Sequence, residues 1–375
     1  MTRPERKRRR RASSESQSKA PEPAIRQLPR QRIRSPFAPL EALTADQLEA
    51  VHDASMRILE EQGMEVMSAK ARALFKAAGA EVDDSTHMVR GQRELFLEAV
   101  AQCPAEFTLT PRNPENAVVL GGNNINFGVV SGTPNVHDRI NGRRHGNFED
   151  YKKLLMFYQY FNVMTFIGNQ PISPVEMAVN NRHLDTYREL LLLTDKVVSG
   201  IPIGVGRVED LVAMVAIARG MSVDEMRQHP STVVNININS PRKLDDTMAD
   251  AAMYMAEHGQ AVIATPFTLM GAMTPVTMAA ALAQQNAEAI LTIAMLQLAA
   301  PGAPVIYGGF TSNVDMRSGA PAFGTPENAL ANIAGGQLAR RYQLPYRTSA
   351  CNASNAADTQ SIYETQAAMW GGVMG

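Results

Sequence analysis

Cysteine is nearly absent: Cys103 and Cys351 are the two in 375 residues. Two thiols cannot build a disulfide framework, so a reducing compartment such as the cytoplasm fits best. A secretory signal is missing as well, because the basic start runs into Ser, Glu, Gln and Pro and not into an apolar core. No apolar run suits a bilayer. The longest candidate, Thr277 to Ala300, carries Gln284, Gln285, Asn286 and Glu288 at mid-span and reads as a helix of a soluble protein. The chain has no His-Glu-x-x-His, Cys-x-x-Cys, Gly-x-Ser-x-Gly or P-loop. Its histidines (His52, His87, His137, His145, His183, His229 and His258) show no metal-ligand spacing. Gly204-Val205-Gly206 lacks the third glycine of a dinucleotide loop.

The composition, 45% hydrophobic and 19% charged, is that of ordinary globular material, and the net charge of −1 hides an asymmetry. Residues 1–34 hold twelve Lys/Arg against three Glu, a net of +9, which leaves −10 for the remainder. Residues 1–40 read as a disordered basic tail. A solvated tail is favoured over contact with a polyanion, since no aromatic or base-reading motif accompanies the arginines.

Residues 41–150 read as a separate α+β segment. Thr44 is a candidate N-cap for a helix that Gly63 stops. Further helices are expected over Ala69–Ala78 and about Gln92–Gln102, with strands near Phe107–Leu109 and Val118–Leu120. A strand pair is expected to flank Gly121–Asn124, and Asn126–Val130 supplies one more strand candidate. From Asn162 onward apolar runs alternate with helices. The runs are Val163–Gly168, Lys196–Ile203, Thr232–Ile238, Ala261–Thr265, Val305–Gly309 and Tyr346–Ser349. The helices span about 175–193, 208–220, 245–258, 276–299 and 327–342, and a further one begins near Asp358. Continuous apolar runs between helices imply a parallel sheet buried on both faces. Each run finishes in polar, small or aromatic residues, which is how a (β/α)8 barrel builds a site at its carboxyl face. The expected fold is therefore α/β, a TIM barrel over 151–375 with about six βα units. Eight would need two more beyond Gly375, so the barrel is expected to be incomplete at its C-terminus.

The chemistry concentrates in two post-strand loops. Tyr307 and Phe310 offer π-faces and Asp315 a carboxylate, which suits a cation that cannot donate hydrogen bonds. Equally, Phe310 and Phe323 could pack the loop while Asp315 caps a turn with Arg317. In the second loop, Asn352 and Asn355 could bond a substrate, or could serve with Asp358 to cap the next helix. Phe267 and Asn237 are further candidates at strand ends. Cys351 reads as a small buried thiol, and His183 and His258 as structural, while His137 is open to either reading.

The run from Tyr307, YGGFTSNVDMRSGAPAFGTPE, resembles the trimethylamine methyltransferase family. So do TPNVHD from Thr133, RHLD from Arg182, TPFTLMGAMTPVT from Thr265, QQNAEAI from Gln284 and GGQLARRY from Gly335. The likeness runs from about Arg26 to Gly375, and the family continues past Gly375. It implies a (β/α)8 barrel that passes a methyl group from a methylated amine to the Co(I) corrinoid (cobalamin) of a partner protein. No cofactor or metal would be bound by this chain itself. The expected partners are that corrinoid protein and the small amine, with self-association left open and neither membrane nor nucleic acid expected. Archaeal trimethylamine enzymes of the family carry pyrrolysine near the strand end that resembles Ser349–Asp358. Ordinary residues stand there in this chain, which points to a quaternary amine such as glycine betaine. The alternatives are a trimethylamine methyltransferase proper, or a fragment that binds methylamines without turnover.

Overall fold

The runs predicted as strands are hydrophobic on both sides, and in the computed structural model, which describes residues 25–168 and 170–375, they lie side by side in one sheet. The sheet has seven strands, one more than expected. They are β1 (Phe127–Gly128), β2 (Met164–Ile167), β3 (Val197–Gly200), β4 (Thr232–Ile238), β5 (Ala261–Pro266), β6 (Val305–Gly308) and β7 (Tyr346–Arg347). Each pairs in parallel with the next in sequence, so the spatial order is the chain order with no point of reversal. The extra strand comes from the stretch assigned to the N-terminal segment. It lengthens the sheet because Phe127 and Gly128 pair with β2 and not with a local hairpin partner.

The crossover helices are α1 (Phe148–Tyr160), α2 (Arg182–Leu193), α3 (Val205–Arg219), α4 (Asp246–Glu257), α5 (Met278–Ala299), α6 (Pro326–Arg341) and α7 (Thr359–Met374). Their starts follow local chemistry. Asn147 and Asp150 form a capping box on α1, Thr325 caps α6 with Pro326 at its first position, and Asp358 caps α7.

The two faces of the sheet bury different material. Val234, Ile236, Ile238, Val262, Ala264, Val305 and Tyr307 belong to a large core with the helices. Val197, Val233, Ala261, Ile263 and Ile306 pack instead against Leu109, Val118, Phe107 and Leu120. Those four sit on an antiparallel pair, Glu106–Leu109 with Val118–Gly121, lying across the amino-end half of the inner face. The strands expected to flank Gly121–Asn124 exist, but they do not pair with each other. Val118–Gly121 takes Glu106–Leu109, and Asn124–Ile125 takes Ile33–Arg34.

The N-terminal helix Ala45–Arg57, with its Thr44 capping box, and the helices Ala69–Ala77 and Arg93–Val100 pack on α5 and share its core. The expected disordered tail needs correction over 25–40. Arg30 there donates to the carbonyls of Glu115 and Ala117 at 2.6 and 3.0 Å, and Ile33–Arg34 adds a strand to Asn124–Ile125. The stretch is ordered because its backbone and guanidinium groups find partners on the body of the protein. Residues 1–24 lie outside the described residues. Among the described residues no helix is long and apolar enough to cross a membrane.

Candidate functional site

In a parallel sheet the side chains of directly paired residues point to one face, so the register assigns every strand residue to the helix layer or to the inner face. Ile263 pairs with Asn235 and Ile306, and Ile306 and Ile263 belong to the inner cluster. Asn235, Asn237 and Thr265 therefore share the inner face toward the carboxyl ends. The Thr265 hydroxyl donates to Asn235 Oδ1 at 2.6 Å, and the Asn235 amide donates to Asn237 Oδ1 at 3.2 Å. Gly308 completes this layer on β6. A Cβ there would stand 2.2 Å from Thr265 Oγ1 and 2.7 Å from the Ala264 carbonyl, so only glycine leaves room for the threonine. Gly308 in turn pairs with Arg347 on β7.

Just beyond this polar layer stand three phenylalanines. β5 and β6 are each extended by three residues, Thr268–Met270 and Thr311–Asn313, which pair in parallel with Thr268 opposite Thr311. Phe267 and Phe310 immediately precede those two positions and so meet, with ring centroids 4.9 Å apart. The loop after Asn313 folds back through a Val314–Pro321 bridge and bonds from Ala322 N to Asn313 O and from Ser312 Oγ to Ala322 O. That return brings Phe323 to 5.0 Å from Phe310, stacked, and 6.5 Å from Phe267. All three rings are half-buried. The extension is locked from behind by α5, where Gln285 Oε1 accepts from the Thr311 hydroxyl at 2.5 Å and Thr311 also bonds Thr268.

The sequence candidates divide in the fold. Phe267, Phe310 and Asn237 come together at the inner carboxyl end. Tyr307 does not. It pairs with Ala264 and Tyr346 on the helix side, is fully buried, and its hydroxyl donates to Asn286 Oδ1 of α5 at 3.1 Å. Burial pushes its phenol pKa well up. Asp315 is exposed and accepts from Arg317 N at 3.0 Å and Ser318 Oγ at 2.6 Å, the turn-capping alternative, and these bonds hold its pKa below the usual value. Asn352 is half-buried and donates to Thr365 Oγ1 of α7 at 2.8 Å, while Asn355 is exposed on the same loop. Asp358 caps α7, accepting from Ser361 N at 2.9 Å. Cys351 is half-buried, with Ser349 Oγ donating to its sulfur at 2.8 Å. His137 Nδ1 accepts from Ala357 N at 3.3 Å, joining the Asn135–His145 hairpin to this loop. His183 joins α2 to α3 through Asp210 at 2.7 Å, and His258 stacks on Tyr254.

Sequence reading missed Asn235, Thr265 and Arg347. The guanidinium carbon of Arg347 lies 5.6 Å from the Phe310 centroid, and desolvation lowers its pKa from the ordinary value. A charged residue inside the short strand Tyr346–Arg347 was the available signal. Among the described residues no group of three His, Cys, Asp or Glu side chains is placed to hold a metal ion.

The family model described as trimethylamine methyltransferase (MTTB) matches residues 6–375. Glycine betaine methyltransferase of Desulfitobacterium hafniense (strain Y51) is 37% identical over 324 residues, covering 86% of this chain and 67% of that protein. A trimethylamine methyltransferase of Desulfitobacterium hafniense (strain DSM 10664 / DCB-2) is 28% identical over 309 residues, 82% of this chain and 62% of that protein. Among solved structures, the monomethylamine methyltransferase of Methanosarcina barkeri aligns with a TM-score of 0.48 at 12% identity, over 88% of this chain and 78% of that one. The chain thus spans about two thirds, or less, of the length of these curated relatives.

Proposed function

The chain belongs to the trimethylamine methyltransferase family, and from that premise we propose that it moves a methyl group from a quaternary ammonium compound to a corrinoid carried by a partner protein. The seven parallel strands are read as the arc of a (β/α)8 barrel, with its mouth at their carboxyl ends. The observation that carries the reading is the grouping of Phe267, Phe310 and Phe323 beside the neutral row Asn235, Asn237 and Thr265. A quaternary ammonium has no N–H to donate, so π-faces and amide oxygens are the groups that can hold it.

The partner's corrinoid supplies the methyl acceptor. What falls to this chain is to strip water from the cation, fix its orientation and leave one methyl facing outward. The N–CH3 bond breaks with its electron pair on nitrogen. A quaternary substrate therefore departs as a neutral tertiary amine, and no proton is required from the protein. Asn237 and Asn355 are exposed, so the carboxyl-end rim is open to approach by another protein. Asn352 and Asn355 belong to that rim in this reading, Tyr307 acts from behind the sheet by positioning β6, and Asp315 shapes its own loop.

The test is a methyl-transfer assay with reduced corrinoid protein and a panel of glycine betaine, carnitine, proline betaine and trimethylamine. The expected product is a tertiary amine in step with corrinoid methylation for at least one quaternary compound. Turnover of trimethylamine alone sinks the quaternary reading. The 37% identical relative named for glycine betaine favours the first outcome over the second.

A further inference from the structure

Arg347 stands apart from the other arginines that reach into the fold. Arg30, Arg219 and Arg340 are desolvated too, yet each donates to a carbonyl or hydroxyl: Arg30 to Glu115 and Ala117, Arg219 to Ser231, and Arg340 to Leu40. Arg347 is half-buried, on the inner-face register beside Gly308, and among the described residues its side chain has neither a carboxylate partner nor a hydrogen bond. Neighbouring groups that could serve it are engaged elsewhere. Thr348 bonds Asn332, and Ser349 bonds Cys351. An arginine does not lose its proton in a protein, so this is a standing cation at the edge of an aromatic cluster that we read as a cation site.

That juxtaposition looks contradictory for a bare ammonium, which would meet a like charge where water is scarce. It is resolved if the ligand brings its own anion. We propose that Arg347 anchors a carboxylate of the substrate, so that the site selects a betaine, with carboxylate and trimethylammonium a short linker apart, over a simple methylated cation. The inference rests on the methyl-transfer reading above. The planar fork of the guanidinium meets two carboxylate oxygens at once. Phe310, on which Arg347 leans, and the two rings beside it would receive the methyl groups. The same residue then gives attraction for the zwitterion and repulsion for its competitors.

The test is calorimetric binding of glycine betaine and of tetramethylammonium to the wild-type chain, Arg347→Met and Arg347→Lys, with melting curves for each. Methionine keeps an unbranched stem against Phe310 and drops the charge. Arg347→Met should weaken glycine betaine by about 10- to 100-fold and leave tetramethylammonium equal or tighter. Arg347→Lys should fall between, because an ammonium keeps the charge without the fork. Equal betaine affinity in wild type and Arg347→Met overturns the anchor, as does an equal loss for both ligands. If wild type binds tetramethylammonium as tightly as betaine, the anchor falls while the quaternary-ammonium reading stands. If wild type binds neither, both fall.

Discussion

At the scale of single residues, the difference between Tyr307 and Phe310 makes the sharpest forecast. The two stand three positions apart, yet the register sends Tyr307 into the helix layer and leaves Phe310 among the rings at the carboxyl end of the sheet. Phe310→Leu keeps much of the volume and removes the ring quadrupole. It should weaken binding of a quaternary ammonium by roughly 2- to 30-fold, the range of one cation–π contact. Tyr307→Phe should leave that affinity within twofold. It should lower stability by about 1 kcal/mol, because Asn286 Oδ1 loses a buried donor. Calorimetry and melting curves on the pair separate the roles, and the opposite pattern would exchange them. This division was not legible beforehand. Val305 to Gly308 is buried on both faces, so the period-two alternation that reveals strand orientation is absent from the sequence. The same holds for Asn235 and Thr265, whose polarity was visible but whose facing was not.

His52 gives a pH forecast at the same scale. It is buried, and its Nδ1 lies 2.7 Å from the Tyr342 hydroxyl. Desolvation first, and Arg341 second, hold its pKa below the usual histidine value. The unfolded chain takes up the proton near pH 6.5 while the folded chain refuses it. Stability is therefore full above that pH and is lost as pH falls toward the folded value, by at most about 1.4 kcal/mol for each pH unit. Melting temperature followed from pH 7 to pH 5 should fall less steeply in His52→Gln than in wild type. Parallel slopes would show that His52 does not carry the effect.

Among the elements, α5 explains both what sequence reading captured and what it lost. Its span was readable to within two residues, from helical length and the absence of Gly and Pro between Met278 and Ala299. Its polar belt was also seen, but as a sign of solubility. In the fold Gln284, Gln285, Asn286 and Glu288 are all buried, because α5 runs between the sheet and the N-terminal helices. Each belt residue binds a specific segment behind the sheet. Glu288 receives Ser240 Oγ at 2.6 Å, Arg242 N at 2.8 Å and Gln284 Nε2 at 2.8 Å, which pins the loop after β4. Burial raises its pKa despite these donors. Glu288→Ala should take the acceptor from three donors, one buried and two half-buried, and cost about 1–3 kcal/mol. It should also weaken ligand binding through movement of Asn237. Glu288→Leu is the companion variant: if it folds as stably as wild type and binds equally, the loop is held by packing alone. The strands were legible for the opposite reason, since six apolar runs separated by helices have few other arrangements. β1 was missed as a member of the sheet because two residues, Phe127–Gly128, carry no periodic pattern, and α1 was not read at all.

On the scale of the whole molecule, the chain order of the parallel strands and the shared core of α5 with the N-terminal helices make one packed body, and residues 25–40 are tied across it. Composition alone marked that stretch as loose. Its partners are distant in sequence, which no local pattern can reveal. Gln27 bonds Tyr160 O at 3.0 Å and receives Asn162 N at 2.9 Å, and Leu28 O receives the Asn162 amide at 2.8 Å. Arg30 holds the Glu115 and Ala117 carbonyls beside the hairpin that covers the inner face, Ile33 pairs with Ile125, and Leu40 N donates to Met374 O at 2.7 Å. These contacts fasten the loop entering β2, the hairpin and the last turn of α7 to a single strap. Most involve neutral carbonyls and amides; the ion pair here, Arg32 to Glu106 at 3.7 Å, is exposed and worth little. After the entropy of ordering the strap is subtracted, a net contribution on the order of 2–3 kcal/mol is reasonable. A chain beginning at Glu41 should then melt about 3–4 °C below one beginning at Ile25. Because the contacts are mainly uncharged on one side, 0.5 M salt should leave that difference nearly intact. Ligand affinity should stay within twofold, since the strap touches the amino-end half of the sheet and not the phenylalanine cluster. Equal melting temperatures would mean that the strap is draped on the body without stabilising it. A difference erased by salt would assign its hold to charge and not to the hydrogen bonds named here.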